Sequence, residues 1–304
     1  MKKDKLNRRE FCGHLGVGAS LLLPSILLAR RKRVRLRYVV SSSMYGKAGL
    51  AQVLPEVRQA GAEYLDLWCK PFTGHREEVD AMGLENFAGL LQKNNVRLGV
   101  ITRYDLGPQA LQAETDVAKK LGAEVIISGS PKAGKLQGEE LKSAIRKFVE
   151  ELKPPAAAAA ENAVTIAIEN HGDLLMSSED ALKWFCDFAP SKGLGIALAL
   201  LHLGPDPAPM ARLIKELRQR TVFLYAWQRP AWLGKKKPSL TEELDQLPGR
   251  GPMDFTPVVA ALKKINYGGF VSNFMHSSHE QTMAGVTEEI IQARQYLDGC
   301  LAKV

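Results

Sequence analysis

Apolar and amphipathic stretches alternate along the chain from residue 34 onward. Eight short stretches are continuously apolar or alternate between apolar and polar residues, as β-strands do. They are 34–42, 62–68, 96–102, 123–129, 164–170, 194–200, 221–227 and 268–274. Eight longer stretches repeat apolar residues at helical spacing: 48–60, 80–94, 108–121, 138–162, 178–188, 207–219, 255–265 and 282–300. Strands that alternate with helices predict a parallel sheet.

Eight consecutive strand–helix units predict the fold class. They favour an α/β fold in which the parallel sheet closes into a (β/α)₈ TIM barrel, as a single domain over residues 34–304. A doubly wound open sheet is the alternative. The first strand, however, runs into VVSSSMYGKAG and lacks the G-x-G-x-x-G pattern of dinucleotide-binding folds. We therefore expect the barrel, and no nucleotide cofactor.

Two segments within the barrel have unusual sequences. Pro154 and Pro155 interrupt one long helical pattern, which predicts that the helix breaks and restarts there. Residues 229–252 form the longest stretch without periodicity, and long loops at the carboxyl ends of barrel strands often cover the site. Trp232 and its neighbours are therefore candidate lid residues.

Residues 1–33 have the features of an export signal or anchor segment. The pair Arg8-Arg9 with Phe11 resembles the twin-arginine translocation motif, and the apolar run 15–29 follows it. That run is shorter than the ~20 residues that a membrane-spanning helix needs. Leu27 and Ala29 make a poor cleavage site, so an uncleaved anchor is the alternative. We expect export to the periplasm or cell envelope, with membrane contact only through this segment.

The positive charge is concentrated at the N-terminus. Residues 1–37 contain eleven Lys or Arg and two acidic residues, which gives this segment a net charge of +9. The net charge of the whole chain is +8. The remaining residues therefore carry a net charge of −1. A neutral barrel lacks the basic surface of a nucleic-acid-binding protein, so we expect no nucleic-acid partner.

The stretch TIAIENHG (165–172) carries the candidate chemistry. Its apolar residues predict a short buried strand that ends in Glu169, Asn170 and His171. The carboxyl ends of barrel strands are where active sites lie, and Glu and His are ligand types for divalent cations. His202 and His276 follow the sixth and eighth predicted strands, and we place them at the same face.

Other polar and aromatic side chains are expected on that face as substrate contacts. They are Asp66, Arg103, Trp227, Gln228 and Arg229, at or just past the ends of the second, third and seventh strands. Aromatic rings stack on the C–H surface of a sugar, while polar groups bond its hydroxyls. We therefore expect a small-molecule sugar ligand.

The order of elements, the strand end IENHG and the His after the sixth strand resemble the sugar phosphate isomerase/epimerase family of xylose isomerase-like barrels. The resemblance covers residues 38–300. It implies isomerase or epimerase action on a sugar or a sugar-like hydroxy-carbonyl compound. It also implies a divalent metal (Mn, Mg, Co or Zn), with Glu169 as catalytic base or metal ligand and His202 as a catalytic residue that contacts substrate.

The other metal-ligand positions of that family do not match. Ala199, Tyr225 and Phe274 stand where the resemblance places the remaining ligands, and neither Ala nor Phe can bind a cation. Three hypotheses follow: a site rebuilt from Glu169 and the nearby histidines, acid–base chemistry without metal, or a carbohydrate-binding barrel without activity. In the metal-free cases we expect Glu169 to bond Tyr225 or Arg229.

Overall fold

The computed structural model describes residues 34–234, 238–276 and 281–304. It confirms the predicted TIM barrel: eight parallel strands close into a barrel in chain order. The predicted export segment lies outside the described residues. The strands are β1 Arg37–Ser41, β2 Tyr64–Trp68, β3 Arg97–Thr102, β4 Val125–Gly129, β5 Thr165–Glu169, β6 Leu194–Ala199, β7 Thr221–Ala226 and β8 Phe270–Asn273.

The barrel closes where the last strand meets the first. In the register of β1 with β8, Arg37 lies opposite Phe270 and Tyr38 lies opposite Val271. Every strand is parallel to both neighbours, so all eight carboxyl ends lie on one face of the barrel. Polar residues that follow different strands are therefore brought together there.

Alternation along each strand produces two apolar layers. Inward-facing residues such as Val100, Ala167 and Phe223 fill the barrel interior. Their outward-facing neighbours, such as Ile101 and Ile166, pack against the surrounding helices. Because both faces are covered, the strands are apolar on both sides, as in other parallel sheets.

Ten α-helices lie in the described part of the chain, most of them between successive strands. They are α1 Leu50–Gln59, α2 His75–Met82, α3 Leu84–Lys93, α4 Gln112–Leu121, α5 Gly138–Glu161, α6 Glu179–Phe188, α7 Pro207–Leu217, α8 Leu240–Leu244, α9 Thr256–Lys264 and α10 Met283–Lys303. None of these helices is long and apolar enough to cross a bilayer.

The predicted break at Pro154 and Pro155 is wrong, because α5 continues through both prolines. Each proline removes a backbone donor from the helix. The residues around the pair nevertheless bury an apolar stripe: Leu152, Ala156 and Ala159 are fully buried. This packing, together with the high helix propensity of alanine, keeps the helix continuous.

Two other helical regions differ from the predicted pattern. The predicted helix 80–94 is two helices, α2 and α3, separated at Gly83, whose φ of 84° suits glycine. The predicted loop 229–252 contains α8, which begins at a capping box formed by Ser239 and Glu242. The indole of Trp232 donates to the backbone carbonyl of Glu242, which anchors the loop to this short helix.

The amino end of the barrel is closed by stacked aromatic and arginine side chains. The rings of Tyr64 and Phe270 meet edge to face at 5.0 Å. The Arg37 guanidinium lies 4.2 Å from the centre of the Phe270 ring, and that of Arg97 lies 4.4 Å from the centre of the Tyr64 ring. Arg37 also forms an ion pair with Glu124. These contacts close the face opposite the candidate site.

Candidate functional site

The candidate site is built around Glu169, the last residue of β5. Ala167, two residues earlier, faces the barrel interior, so the Glu169 side chain also points inward. Its carboxylate accepts a short hydrogen bond from the hydroxyl of Tyr104, which follows β3. The Tyr104 hydroxyl in turn lies 3.3 Å from that of Tyr225 on β7. Residues from three strands thus meet at one buried point.

Burial changes the protonation of Glu169. It raises the pKa of this carboxyl from 4.5 to about 7, while the Tyr104 hydrogen bond opposes the rise and the charge of Asp66 adds to it. Burial also raises the pKa values of the Tyr104 and Tyr225 phenols well above 10, so both remain proton donors. Near neutral pH, Glu169 therefore exchanges between its two protonation states beside a fixed donor.

Asp66, in the middle of β2, is a second buried carboxyl. It accepts hydrogen bonds from Ser41 (2.7 Å), Thr102 (2.7 Å) and the indole of Trp68 (2.5 Å). Burial raises its pKa from 3.8 to about 6, and the three donors oppose the rise. We expected Asp66 to contact substrate, but the structure gives its carboxylate three protein partners and no exposed surface.

Aromatic rings occupy the carboxyl end of the barrel above these acids. Phe274 stacks on Trp68, with ring centres 5.3 Å apart and planes 14° from parallel. It also contacts Tyr225 and Trp227, each at 5.1 Å. Phe72 lies at the outer edge, where 45% of it is exposed. The end of β8, where the resemblance placed a metal ligand, therefore contributes an aromatic wall.

Three histidines lie along the same rim. The rings of His171 and His202 are 4.2 Å apart, and Trp227 contacts both His202 (5.5 Å) and His276 (5.3 Å). Burial, together with the neighbouring His171 and Arg229, lowers the pKa of His202 to about 4. The structure thus brings together four predicted residues, His171, His202, Trp227 and His276, in one row.

Two other predicted residues have different partners. Arg103 forms ion pairs with Asp105 (2.8 Å) and with the buried Glu114 (2.5 Å), so its guanidinium is engaged away from the aromatic wall. Gln228 is fully buried: it donates to the carbonyl of Leu247 and accepts from the amide of Met253. In place of the predicted substrate contacts, both side chains fix loops.

Sequence reasoning gave Glu169 the wrong partner. We expected Tyr225 or Arg229, whereas the direct donor is Tyr104 and Tyr225 stands one step behind it. The spacing contains a signal: Tyr104 lies two residues after Thr102, which already faces inward on β3.

Asn170 is a further residue whose role the sequence did not indicate. Its side-chain amide bonds both the N–H (2.7 Å) and the carbonyl (3.0 Å) of Ala199. This clamp ties the end of β5 to the end of β6. It therefore fixes the starting points of the two loops that carry His171 and His202.

The residues at the positions where the resemblance places metal ligands offer few donors for a divalent cation. Besides Glu169 they are the Ala199 methyl group, the Phe274 ring and the Tyr225 phenol, which stays protonated. Within residues 34–234, 238–276 and 281–304, no three His, Cys, Asp or Glu side chains are grouped so that they could hold a metal ion. The alternative site rebuilt from Glu169, His171, His202 and His276 is therefore not assembled.

Comparisons with known proteins agree with the fold. A family model described as a xylose isomerase-like TIM barrel matches residues 54–298. A search of the curated proteins finds no match. Similar solved structures include the IolI protein with a bound zinc atom, at 16% identity, with a TM-score of 0.67 over 88% of this chain and 99% of that one.

Two sugar epimerases are also similar. One is 3-keto-D-glucoside 4-epimerase from E. coli, at 10% identity, with a TM-score of 0.66 over 86% of this chain and 100% of that one. The other is D-allulose 3-epimerase from Methylomonas sp., at 17% identity, with a TM-score of 0.62 over 88% of this chain and 98% of that one. At these identities the likeness establishes the fold, and the chemistry must be argued from the site.

Proposed function

Because the chain belongs to the xylose isomerase-like TIM barrel family, we propose that it is a sugar isomerase or epimerase in which Glu169 transfers the proton. One observation carries this proposal: a buried carboxyl with a pKa of about 7 is hydrogen-bonded to the Tyr104 phenol at the carboxyl end of the barrel. Two structural neighbours are sugar epimerases, which supports a carbohydrate substrate.

The chemistry follows from the two protonation states of Glu169. As a carboxylate it removes a proton from the carbon beside the substrate's carbonyl, and the electrons of that C–H bond move onto the carbonyl oxygen. A phenol such as Tyr104 or Tyr225 stabilises that oxygen by hydrogen bonding. The protonated Glu169 then returns the proton to carbon, which restores a carbonyl compound and the free carboxylate.

The number of available acids favours one reaction type. Glu169 can take the proton from one carbon and return it to the neighbouring carbonyl carbon on the same face of the substrate, while the hydroxyl proton of the first carbon passes to the former carbonyl oxygen. The carbonyl then lies on the first carbon. Inversion at one carbon requires a second acid on the opposite face. Asp66 is the other acid described inside the barrel, and three protein donors hold it. Isomerisation is therefore the reaction that these residues support best.

Deuterium exchange tests the proposal directly. The protein is incubated in D₂O with a panel of aldoses and ketoses, and NMR follows deuterium at the carbon beside the carbonyl. We expect incorporation that falls by about 10²-fold or more in Glu169→Gln, the lower end of the range for losing a general base. The exposed Glu140→Gln is the matched control. Equal exchange in wild type and Glu169→Gln would exclude Glu169 as the base.

A second candidate function is sugar binding without turnover. The ring of Phe72 favours it, because this ring is 45% exposed at the barrel mouth, beside His276 at 6.0 Å, and offers a flat apolar surface to a sugar. Under this hypothesis calorimetry detects sugar binding, while no deuterium enters the sugar. Metal analysis separates both hypotheses from a metal-dependent enzyme: stoichiometric Mn, Mg, Co or Zn that is lost in Glu169→Gln would contradict both.

A further inference from the structure

The paired histidines at the rim contain polar atoms without partners. Nδ1 of His171 and Nε2 of His202 are both buried, and neither has a hydrogen-bond partner among the described residues. Buried polar atoms in folded proteins are nearly always paired. Two such atoms on rings only 4.2 Å apart mark a place where a ligand can complete the hydrogen bonds.

The same part of the rim carries a charged donor. Arg229 is exposed and close enough for its charge to act on His202. Within the described ranges, Arg229 forms no ion pair. His276 acts on His202 in the same sense, and the exposed Asp173 is the acidic residue that acts in the opposite sense. The guanidinium of Arg229 thus supplies a charged donor near the two imidazoles.

The clamp of Asn170 on Ala199 makes this arrangement rigid. It joins the residue directly before His171 to the strand end three residues before His202. The two rings therefore lie next to each other because their loops begin at a fixed distance. A site whose groups are held in place loses little entropy when a ligand binds.

We propose that His171, His202 and Arg229 form a subsite for an anionic group, a carboxylate or a phosphate, on the sugar. The imidazole N–H groups and the guanidinium donate to the oxygens of the anion, and charge-assisted hydrogen bonds of this kind are stronger than those to a neutral hydroxyl. That the anion belongs to a sugar rests on the proposed function. The subsite adds a substrate class to it: acidic sugars are preferred over neutral ones.

Calorimetry with matched sugar pairs tests the subsite. The probes are D-galacturonate against D-galactose, and D-fructose 6-phosphate against D-fructose. We expect at least one acidic sugar to bind about tenfold or more tightly than its neutral partner, as charged hydrogen bonds allow. The first pair reports a carboxylate and the second a phosphate.

Variants test whether the preference for acidic sugars comes from this subsite. Arg229→Gln and His202→Gln should each reduce the affinity ratio between acidic and neutral sugar, while the exposed Arg212→Gln on α7 should leave it unchanged. Equal affinity within both pairs, no binding of any probe, or an unchanged ratio in Arg229→Gln would overturn the proposal.

The two proposals fail separately. Preferential binding of an acidic sugar without Glu169-dependent deuterium exchange would support the subsite and contradict the isomerase. Exchange with no preference for the acidic sugar would do the reverse.

Discussion

At the scale of single residues, the main feature is a pair of acids buried inside the barrel. Both Glu169 and Asp66 have raised pKa values, about 7 and about 6, because burial disfavours their charged forms. Three hydrogen-bond donors stabilise the charged form of Asp66, whereas Glu169 accepts from one hydroxyl, that of Tyr104. Ionisation of Glu169 in the folded protein is therefore unfavourable, as is typical of functional rather than structural groups.

The raised pKa of Glu169 predicts how stability changes with pH. The unfolded chain releases this proton near pH 4.5 and the folded protein near pH 7. Between these values the folded state binds more protons, so Glu169 lowers the free energy of unfolding by up to about 1.4 kcal/mol per pH unit as pH rises. Glu169→Gln removes this effect. We expect the variant to match wild type near pH 4.5 and to exceed its stability above pH 7.

Urea unfolding at pH 5 and pH 8 measures this difference. Asp66 titrates in both proteins, so only its interaction with Glu169 differs between them. Glu140→Gln, on the exposed first turn of α5, is the control and should follow wild type at both pH values. A Glu169→Gln variant with the same stability difference from wild type at pH 5 and pH 8 would contradict the raised pKa.

At the scale of elements, a buried ion network joins two helices to a strand end. Glu114 on α4 accepts from Arg76 on α2 at 2.7 Å and from Arg103 after β3 at 2.5 Å. Arg103 also pairs with Asp105. Tyr104 stands between Arg103 and Asp105 in the chain, so the network fixes the segment that carries the partner of Glu169.

Glu114→Gln should therefore be strongly destabilising. The change leaves two guanidinium groups without their shared buried carboxylate, and breaking a buried pair in this way costs about 3–5 kcal/mol. Chemical denaturation measures the loss. Glu63→Gln, which removes the partner of Arg97 in an exposed pair at 2.7 Å, is the matched control and should cost about 1 kcal/mol or less. Similar losses in both variants would show that the network does not stabilise the barrel.

The elements themselves were largely predictable from sequence, because strand and helix periodicities differ clearly. The errors arose where packing overrides local preference. Buried Ala156 and Ala159 keep α5 continuous past two prolines, although local chemistry predicts a break. Conversely, Gly83 divides a helical pattern whose apolar spacing continues on both sides.

The site was predictable in position but not in its contacts. Periodicity placed Glu169, His171 and His202 at one end of the barrel, as the structure has them. It could not show that Arg103 is bound by Glu114, a partner eleven residues away on another element. Nor did it predict that Tyr104, two residues past the end of β3, is the donor to Glu169, because a contact between side chains on different elements depends on packing.

At the scale of the whole molecule, export stays a prediction. Replacing Arg8 and Arg9 with lysines should leave the protein in the cytoplasm, because the paired arginines are the part of the motif that the translocation system reads. Cell fractionation with immunodetection measures the distribution. Lysine replacements at Arg30 and Arg31 keep the charge and spare the motif, so that variant should be exported normally. Unchanged fractionation of the Arg8-Arg9 variant would count against the idea.

The closure of the amino end bears on how such a molecule changes over generations. Stacked Tyr64, Phe270 and the two arginines hold the strands together on the face away from Glu169. Substitutions at positions 199, 225 or 274 leave these contacts intact. Substitutions at the mouth of the barrel can therefore accumulate while the contacts that hold its other end together stay unchanged. One scaffold can then acquire a different activity through a series of descendants that all remain folded.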